Sequence, residues 1–345
     1  MSTFPEPVII GHSPAIRKVV EITRQVGDLD LNVLITGESG VGKELIARSL
    51  HYHAQRRSKP FVKVNTAALP AQLIESELFG YEKGAFTGAQ HSKIGKFQAA
   101  GEGTLFLDEI GEMSSLTQSK LLQVLQDREY SRVGGHQPQQ VKARVIAATN
   151  RDLDAEMQNG HFRADLFYRL STISIHMPPL RQRKDDLQDL IEHLLSSQAR
   201  DLNQPIPALP DDLLELFQEH HWPGNVRELS NYLQRFSVFG SSREIRAAIL
   251  AKNHREAGTS SGSPPQPEPA LAEPRSGPED IGRNAGQFPS LREIRDQIVQ
   301  RVEKSLIQKA LLDSNWNRRQ TARKLNISYR ALMYKMKEMD INQVN

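Results

Sequence analysis

The chain contains no cysteine, which excludes disulfides, thiolate metal sites and cysteine nucleophiles. No stretch approaches the roughly 18 apolar residues of a membrane span. The opening Met1-Ser2-Thr3-Phe4-Pro5-Glu6-Pro7 has neither a basic region nor a long apolar segment, so it does not read as a secretory leader. The cytoplasm is therefore the expected location. His51, His53, His161, His220 and His221 form no compact set with zinc-ligand spacing. Acidic side chains are missing from Ser314–Lys337, which carries Arg318, Arg319, Arg323, Lys324, Arg330, Lys335 and Lys337.

That local absence makes the charge lopsided. From Leu291 to Asn345 there are 12 Lys or Arg against 6 Asp or Glu, a balance of +6; the remainder has 32 against 35, or −3, which together give the net +3. A basic C-terminal module on a mildly acidic body points to a polyanion as that module's partner. The 345 residues, 38% hydrophobic and 25% charged, are those of an ordinary soluble protein of two or three domains.

One stretch organises the rest. Gly37-Glu38-Ser39-Gly40-Val41-Gly42-Lys43-Glu44 follows the apolar run Val33-Leu34-Ile35 and precedes Leu45-Ile46-Ala47-Arg48-Ser49-Leu50, which has helical character. Strand, glycine loop and helix in that order make a phosphate cradle: backbone N–H groups converge on phosphate oxygens, and Lys43 adds a point charge. The motif expects Ser or Thr at position 44, where this chain has Glu.

Around the cradle, residues 9–172 alternate short β-rich runs (Val33–Thr36, Phe61–Asn65, Thr104–Asp108, Arg144–Thr149) with helical patterns such as Pro14–Val26 and Lys43–His53. This predicts an α/β unit, a parallel sheet with helices on both faces. After Met177-Pro178-Pro179-Leu180 the strand signals stop, and Asp185–Leu202, Pro210–Glu219 and Asn225–Phe239 read as amphipathic helices of a small subdomain. Residues 256–290 are rich in Pro, Gly and Ser and read as a flexible linker. The last 55 residues predict three helices, Leu291–Leu312, Arg318–Leu325 and Tyr329–Met339. Asn326-Ile327-Ser328 would form the turn of a helix-turn-helix, with Ser328 as the cap of its last helix. The expected domains are thus 1–176, 177–255, the linker 256–290, and 291–345.

Further residues carry chemistry. The strand Thr104–Asp108 delivers Asp108 and Glu109 to the carboxyl edge of the sheet, where Asp108 can hold Mg2+, directly or through water, and Glu109 can polarise an attacking water. Asn150 closes the strand 145–149 at the same edge. Arg163 and Arg169 could stabilise charge on a transferred phosphoryl group, although surface arginines paired with nearby Asp are the plain alternative. Gly84-Ala85-Phe86-Thr87-Gly88-Ala89 has no use in nucleotide chemistry; it reads as a turn, or as a loop offering one aromatic to a partner. In the basic module, Tyr329, Arg330 and Met333 or Tyr334 would lie along a recognition helix and Arg318 and Arg319 would meet phosphate, with Ser328 and Lys335 also DNA contacts.

Taken together, Gly37–Glu44, Glu77–Ala89, Gly103–Glu109, Phe162–Leu170 and Trp222–Leu229 resemble the bacterial enhancer-binding proteins, AAA+ ATPases that activate RNA polymerase carrying sigma-54. Gly84–Ala89 matches that family's loop without departure, and the basic C-terminal helices resemble its all-α Fis-type helix-turn-helix domain. The resemblance implies ATP and Mg2+ as cofactors. Gly37 to Glu44 (Gly37, Glu38, Ser39, Gly40, Val41, Gly42, Lys43, Glu44) would be the Walker A loop, with Glu44 in keeping with the family's own pattern. Asp108 and Glu109 would be the Walker B pair, Asn65 the polar switch restraining Glu109, and Asn150 the γ-phosphate sensor. Arg163 and Arg169 would be fingers acting on the neighbouring subunit's ATP, Arg227 the second sensor on the helical lid, and Phe86 and Thr87 the tip touching sigma-54.

The family implies as partners upstream double-stranded DNA, the sigma-54 polymerase holoenzyme and further copies of the chain, as a hexamer. Gly101-Glu102-Gly103 departs from two adjacent glycines, with little expected effect. The ATPase begins almost at once, as in one-piece activators of the phage-shock type, so control by a separate regulatory protein, or loss of an N-terminal domain, is expected. A rival reading is an AAA+ remodeller or helicase loader acting directly on DNA, which would have no reason for Gly84–Ala89. A DNA-binding regulator that no longer turns over ATP is a third, opposed by the intact Asp108, Glu109, Arg163 and Arg169.

Overall fold

The computed structural model describes residues 7–202, 209–259 and, towards the C-terminus, a set within 307–338 that includes 316–324 and 329–338. The chain divides into two units, residues up to 264 and residues from 265 onward.

In the first unit, the helices α1 (Pro14–Gly27) and α2 (Lys43–Tyr52) flank β1 (Val33–Thr36). Then come β2 (Phe61–Asn65), α3 (Ala71–Phe79), the short strands β3 (Gly80–Tyr81) and β4 (Lys93–Ile94), α4 (Lys96–Ala100) and β5 (Thr104–Asp108). They are followed by α5 (Ser115–Asp127), the hairpin β6 (Glu129–Ser131) and β7 (Pro138–Gln140), β8 (Arg144–Thr149), α6 (Leu153–Gln158), α7 (Ala164–Leu170) and β9 (Ile173–His176). Five strands form one parallel sheet in the order β2-β5-β8-β1-β9.

Period-two alternation splits each central strand between two cores. Leu105, Leu107, Val145 and Ala147 pack with Ile74, Leu78, Leu121 and Leu125 on one side. Phe106, Ile146, Ala148, Val33 and Ile35 pack with Ile16, Val19, Ile46 and Leu50 on the other. Because β5 and β8 are buried on both faces, their sequences are continuous apolar runs. The same register lines up the carboxyl ends of β1, β2, β5 and β8, pairing Asn65 with Asp108 and Thr36 with Thr149. The glycine loop, Asn65, Asp108, Glu109 and Asn150 therefore all start from one edge.

Four helices build a separate core: α8 (Leu187–Leu202), α9 (Asp211–Glu219), α10 (Asn225–Phe239) and α11 (Arg243–Thr259). Trp222, fully buried at its centre, packs edge-on to Phe217 and His220 and donates its indole N–H to the Phe217 carbonyl at 2.9 Å. The helix α11 runs to Thr259, into the stretch expected to be linker; the rest of the 256–290 linker lies outside the described residues.

In the C-terminal unit, α12 (Arg318–Lys324) and α13 (Tyr329–Glu338) pack through Ala322, Leu332 and Met336 against Ile307 and Leu311. Asn317 caps α12, its side-chain oxygen accepting from the Gln320 N–H. Most of the expected Leu291–Leu312 helix, the turn 326–328 with Ser328, and the Arg330 side chain lie outside the described residues. Among the described residues no helix is long and apolar enough to cross a membrane.

Candidate functional site

The glycine loop leaves β1 and enters α2 through Gly42, in the left-handed region at φ 104°. Gly40, at φ +80°, is held still more tightly: a Cβ there would stand 2.4 Å from the Gly224 carbonyl oxygen. Any side chain at position 40 would push the loop away from the helical subdomain. The loop encloses Lys43, whose side chain is 7% exposed. Its Nζ donates to the Gly37 carbonyl at 2.8 Å and the Glu38 carbonyl at 3.2 Å, and lies 3.8 Å from Glu109 Oε1. Burial lowers the Lys43 pKa, and the carboxylates of Glu109 and Asp108 offset part of that effect.

The helical subdomain closes over the loop through a set of side chains. Glu38 accepts both guanidinium nitrogens of Arg181, at 2.6 and 2.8 Å, and the Asn225 amide at 3.1 Å. The Arg181 hydrogen bond is the main reason its pKa falls below the usual carboxylate range. Asn225, itself at φ 51°, also donates to the Ser39 carbonyl and accepts from the Leu180 N–H. Arg227 on α10 donates to Ser39 Oγ at 3.0 Å, and its own N–H reaches the Gly40 carbonyl. The turn from Trp222 to Gly224, which leads into Asn225 and Arg227, is held by Glu228, which takes the Gly224 N–H, His220 and Lys252. Burial raises the Glu228 pKa, but those hydrogen bonds win and hold it at about 2.

Between loop, sheet edge and helices lies a cleft of about 340 Å³ lined by Gly42, Lys43, Asp108, Glu109 and Arg227. Glu109 sits just past β5 in the left-handed region, at φ 58° and ψ 48°. For a non-glycine residue that conformation costs about 1–2 kcal/mol. Thr66 stabilises it, donating Oγ1 to the Glu109 carbonyl at 2.6 Å. Glu109 Oε2 in turn accepts the Asn150 N–H at 3.1 Å. The Asn65 side-chain oxygen accepts the Ala67 N–H at 3.0 Å, and Glu109 is held here by Asn150 and Lys43.

The cradle fits a nucleoside triphosphate. It combines a buried lysine, a strained loop opening into a helix N-terminus, and a carboxylate pair across the cleft. Among the described residues no three His, Asp or Glu side chains cluster as a protein-only metal site. Asp108, a carboxylate lining the same cleft as Lys43, has the donor chemistry for a divalent cation completed by phosphates and water.

Arg163 and Arg169 do not line this cleft. Arg163 stands at the N-terminal boundary of α7 and pairs bidentately with Asp165 at 3.0 and 2.7 Å, exposed, while its N–H is fixed by the buried Gln118. Arg169 donates to the Leu125 carbonyl near the end of α5.

The Gly84–Ala89 loop is closed on itself: the Gly84 N–H reaches the Ala89 carbonyl at 2.9 Å and the Ala89 N–H the Phe86 carbonyl at 3.0 Å. Gly84 and Gly88 take φ of +84° and +104°. Phe86 is 43% exposed, its ring edge-on to Tyr81 at 5.0 Å. The paired strands β3 and β4, and the bridge from Tyr81 to Val133, brace its base. In the C-terminal unit Arg318 and Arg319 are exposed at the start of α12, and Tyr329 and Tyr334 are exposed on α13.

Comparison with known proteins places this geometry. Residues 9–176 match the Sigma-54 interaction domain, 181–267 the AAA+ ATPase lid domain and 298–339 the Fis family of bacterial regulatory proteins. Regulatory protein AtoC of Escherichia coli is 45% identical over 334 residues, covering 97% of this chain and 68% of that protein. The chain belongs to the sigma-54-dependent activators. The Nif-specific regulatory protein of Azotobacter vinelandii is 40% identical over 98% of this chain and 60% of its own length. Among solved structures, NtrX from Brucella abortus in complex with ATP superposes with a TM-score of 0.65 at 29% identity, covering 98% of this chain and 70% of that one. The chain thus spans roughly six to seven tenths of the length of these relatives.

Some site residues escape sequence reasoning. Thr66, Arg181 and Asn225 shape the cleft, and only Asn225 falls in a stretch that the motifs single out. Lys63 also lines it. Period-two spacing from Asn65 is the one signal that would have put Lys63 on the same face.

Proposed function

We propose that this protein is an ATP-hydrolysing transcription activator that binds upstream DNA and remodels sigma-54 RNA polymerase so that promoters open. The observation that carries the proposal is Phe86, exposed at the tip of a self-closed Gly84–Ala89 loop that belongs to the same unit as the phosphate cradle. Hydrolysis of ATP supplies the free energy, and Mg2+, when bound, would neutralise charge on the phosphates. This chain's groups then have assigned parts: Lys43 and Arg227 bind phosphate, Asp108 would hold the cation and Glu109 takes the proton of the attacking water. Asn150 would sense the γ-phosphate through the strand end it shares with the Glu109 hydrogen bond.

Arg163 and Arg169, lying off their own cleft, serve a neighbouring subunit, which calls for a closed ring, a hexamer. Residues 1–176, 177–255 and 291–345 act as nucleotide domain, lid and DNA-binding domain, joined by 256–290, in the cytoplasm. A separate protein could restrain the ring. Loss of the γ-phosphate would release Glu109 to alternative partners, Asn65 among them, and the change would move Gly84–Ala89 against sigma-54.

The test is Phe86→Ala, assayed for steady-state ATP turnover and for open-complex formation on a sigma-54 promoter. Turnover is expected within about threefold of the native value with open complexes lost, since Phe86 does not line the cleft. Equal loss of both would sink the output role. A remodeller acting on DNA alone would instead show DNA-dependent activity indifferent to Phe86.

The DNA module makes its own prediction. Affinity of the full chain for duplex DNA falls steeply with salt, and Arg318→Ala/Arg319→Ala reduces the log–log slope by about two. A slope unchanged by the double substitution would remove both arginines from the phosphate contacts.

A further inference from the structure

The position after the phosphate-loop lysine holds a carboxylate where a hydroxyl would help bind a cation. Glu44 is not left facing phosphate. Its Oε1 accepts Arg48 Nε at 2.9 Å and Nη2 at 2.8 Å, and its Oε2 accepts Lys63 Nζ at 2.6 Å. Burial raises the Glu44 pKa, and the hydrogen bonds from Lys63 and Arg48 more than reverse it, so the group is held ionised. The same Lys63 Nζ stands 3.2 Å from Asp108 Oδ2. Lys63 comes from β2, the edge strand of the sheet, and its side chain is 35% exposed. A single ammonium thus bridges the carboxylate of the glycine loop and the carboxylate assigned to the divalent cation.

We propose that Lys63 is a positioning residue for the metal, a built-in cation that occupies Asp108 when no divalent ion is bound and withdraws onto Glu44 when one arrives. The inference rests on the ATPase reading and adds a residue and a competition to it. A lysine has three donors and a flexible stem, so it can release one carboxylate and keep the other. The retained Lys63–Glu44 pair, with Arg48 on the second oxygen, keeps the Glu44 charge from repelling the triphosphate. Metal loading is therefore opposed by a partner already in place, and divalent-ion affinity is set lower than the carboxylates alone would give.

The experiment measures Mn2+ binding to the full chain, with and without saturating ADP, by the electron paramagnetic resonance signal of free Mn2+. Native protein, Lys63→Ala and Arg48→Ala are compared. With ADP present, Lys63→Ala is expected to bind Mn2+ roughly three- to tenfold more tightly, because the competing ammonium is gone. Arg48→Ala, which removes a cation from Glu44 without touching Asp108, should stay within about twofold of native. Unchanged or weaker Mn2+ binding in Lys63→Ala overturns the proposal, and so does equal tightening in both variants, which would reduce the effect to net charge. Native protein that binds ADP and Mn2+ normally beside an unaltered Lys63→Ala defeats this inference alone. Native protein that binds no ADP defeats the ATPase reading with it.

Discussion

Arg163→Ala is expected to bind ATP with native affinity and to hydrolyse it roughly a thousandfold more slowly, the loss seen when an arginine finger is removed. The argument starts from where the side chain is. Arg163 is exposed, lies outside its own cleft and is held ready by Asp165 and by the backbone bond to the buried Gln118. A guanidinium that cannot touch its own nucleotide can act on one only across an interface. Turnover of Arg163→Ala should therefore recover in part when it is mixed with a variant defective in its own cleft, because some interfaces then combine an intact finger with an intact base. Native turnover in Arg163→Ala, or no recovery on mixing, would rule the finger out. Arg169→Ala should differ in kind: it removes a bond to the Leu125 carbonyl, so some thermal destabilisation is expected alongside any loss of turnover.

How far the sequence could be read depended on where each signal was stored. The strands 33–36, 61–65, 104–108 and 144–149 are found where the apolar runs put them. Most of them are buried on both faces and have little freedom to be anything else. The strand Ile173–His176 was not anticipated. It is short, mixes Ser and His with its two isoleucines, and is defined by pairing with β1. The two-residue strands bracing the Gly84–Ala89 loop are below any periodicity, and among its described side chains α11 buries Ile245 and Ile249 in the lid core. In the site, Lys43, Asp108, Glu109 and Arg227 were legible because a motif fixes them locally. Lys63 and Arg181 were not: Lys63–Asp108 depends on strand order, and Arg181–Glu38 joins residues 143 positions apart. Asn65 ends its strand at the sheet edge beside Asp108, while its side-chain oxygen turns to the N–H of Ala67 in its own loop, a local choice no motif records.

Glu109→Gln should leave ATP binding intact and lower turnover by about two to three orders of magnitude, the usual worth of a positioned general base. The amide keeps the size of the side chain and can still accept the Asn150 N–H, so the strand end should stay in place. What it cannot do is take a proton from water or balance Lys43, whose buried Nζ lies 3.8 Å away. Loss of that charge leaves Lys43 with the Gly37 and Glu38 carbonyls and the field of Asp108, so nucleotide should bind as tightly as before or slightly more so. Thr66→Val separates geometry from chemistry. It keeps the carboxylate and removes the hydroxyl that donates to the Glu109 carbonyl, a bond worth about 1 kcal/mol. Glu109 would then tend to relax from φ 58°, a conformation that only its surroundings maintain. A fall in turnover of about tenfold at unchanged nucleotide affinity is the expected result, with the pH profile unmoved because the base itself is intact. Glu109→Gln at native turnover would remove Glu109 from the chemistry. Thr66→Val at native turnover would leave Glu109 as the base and show that its left-handed backbone is held by the strand end alone.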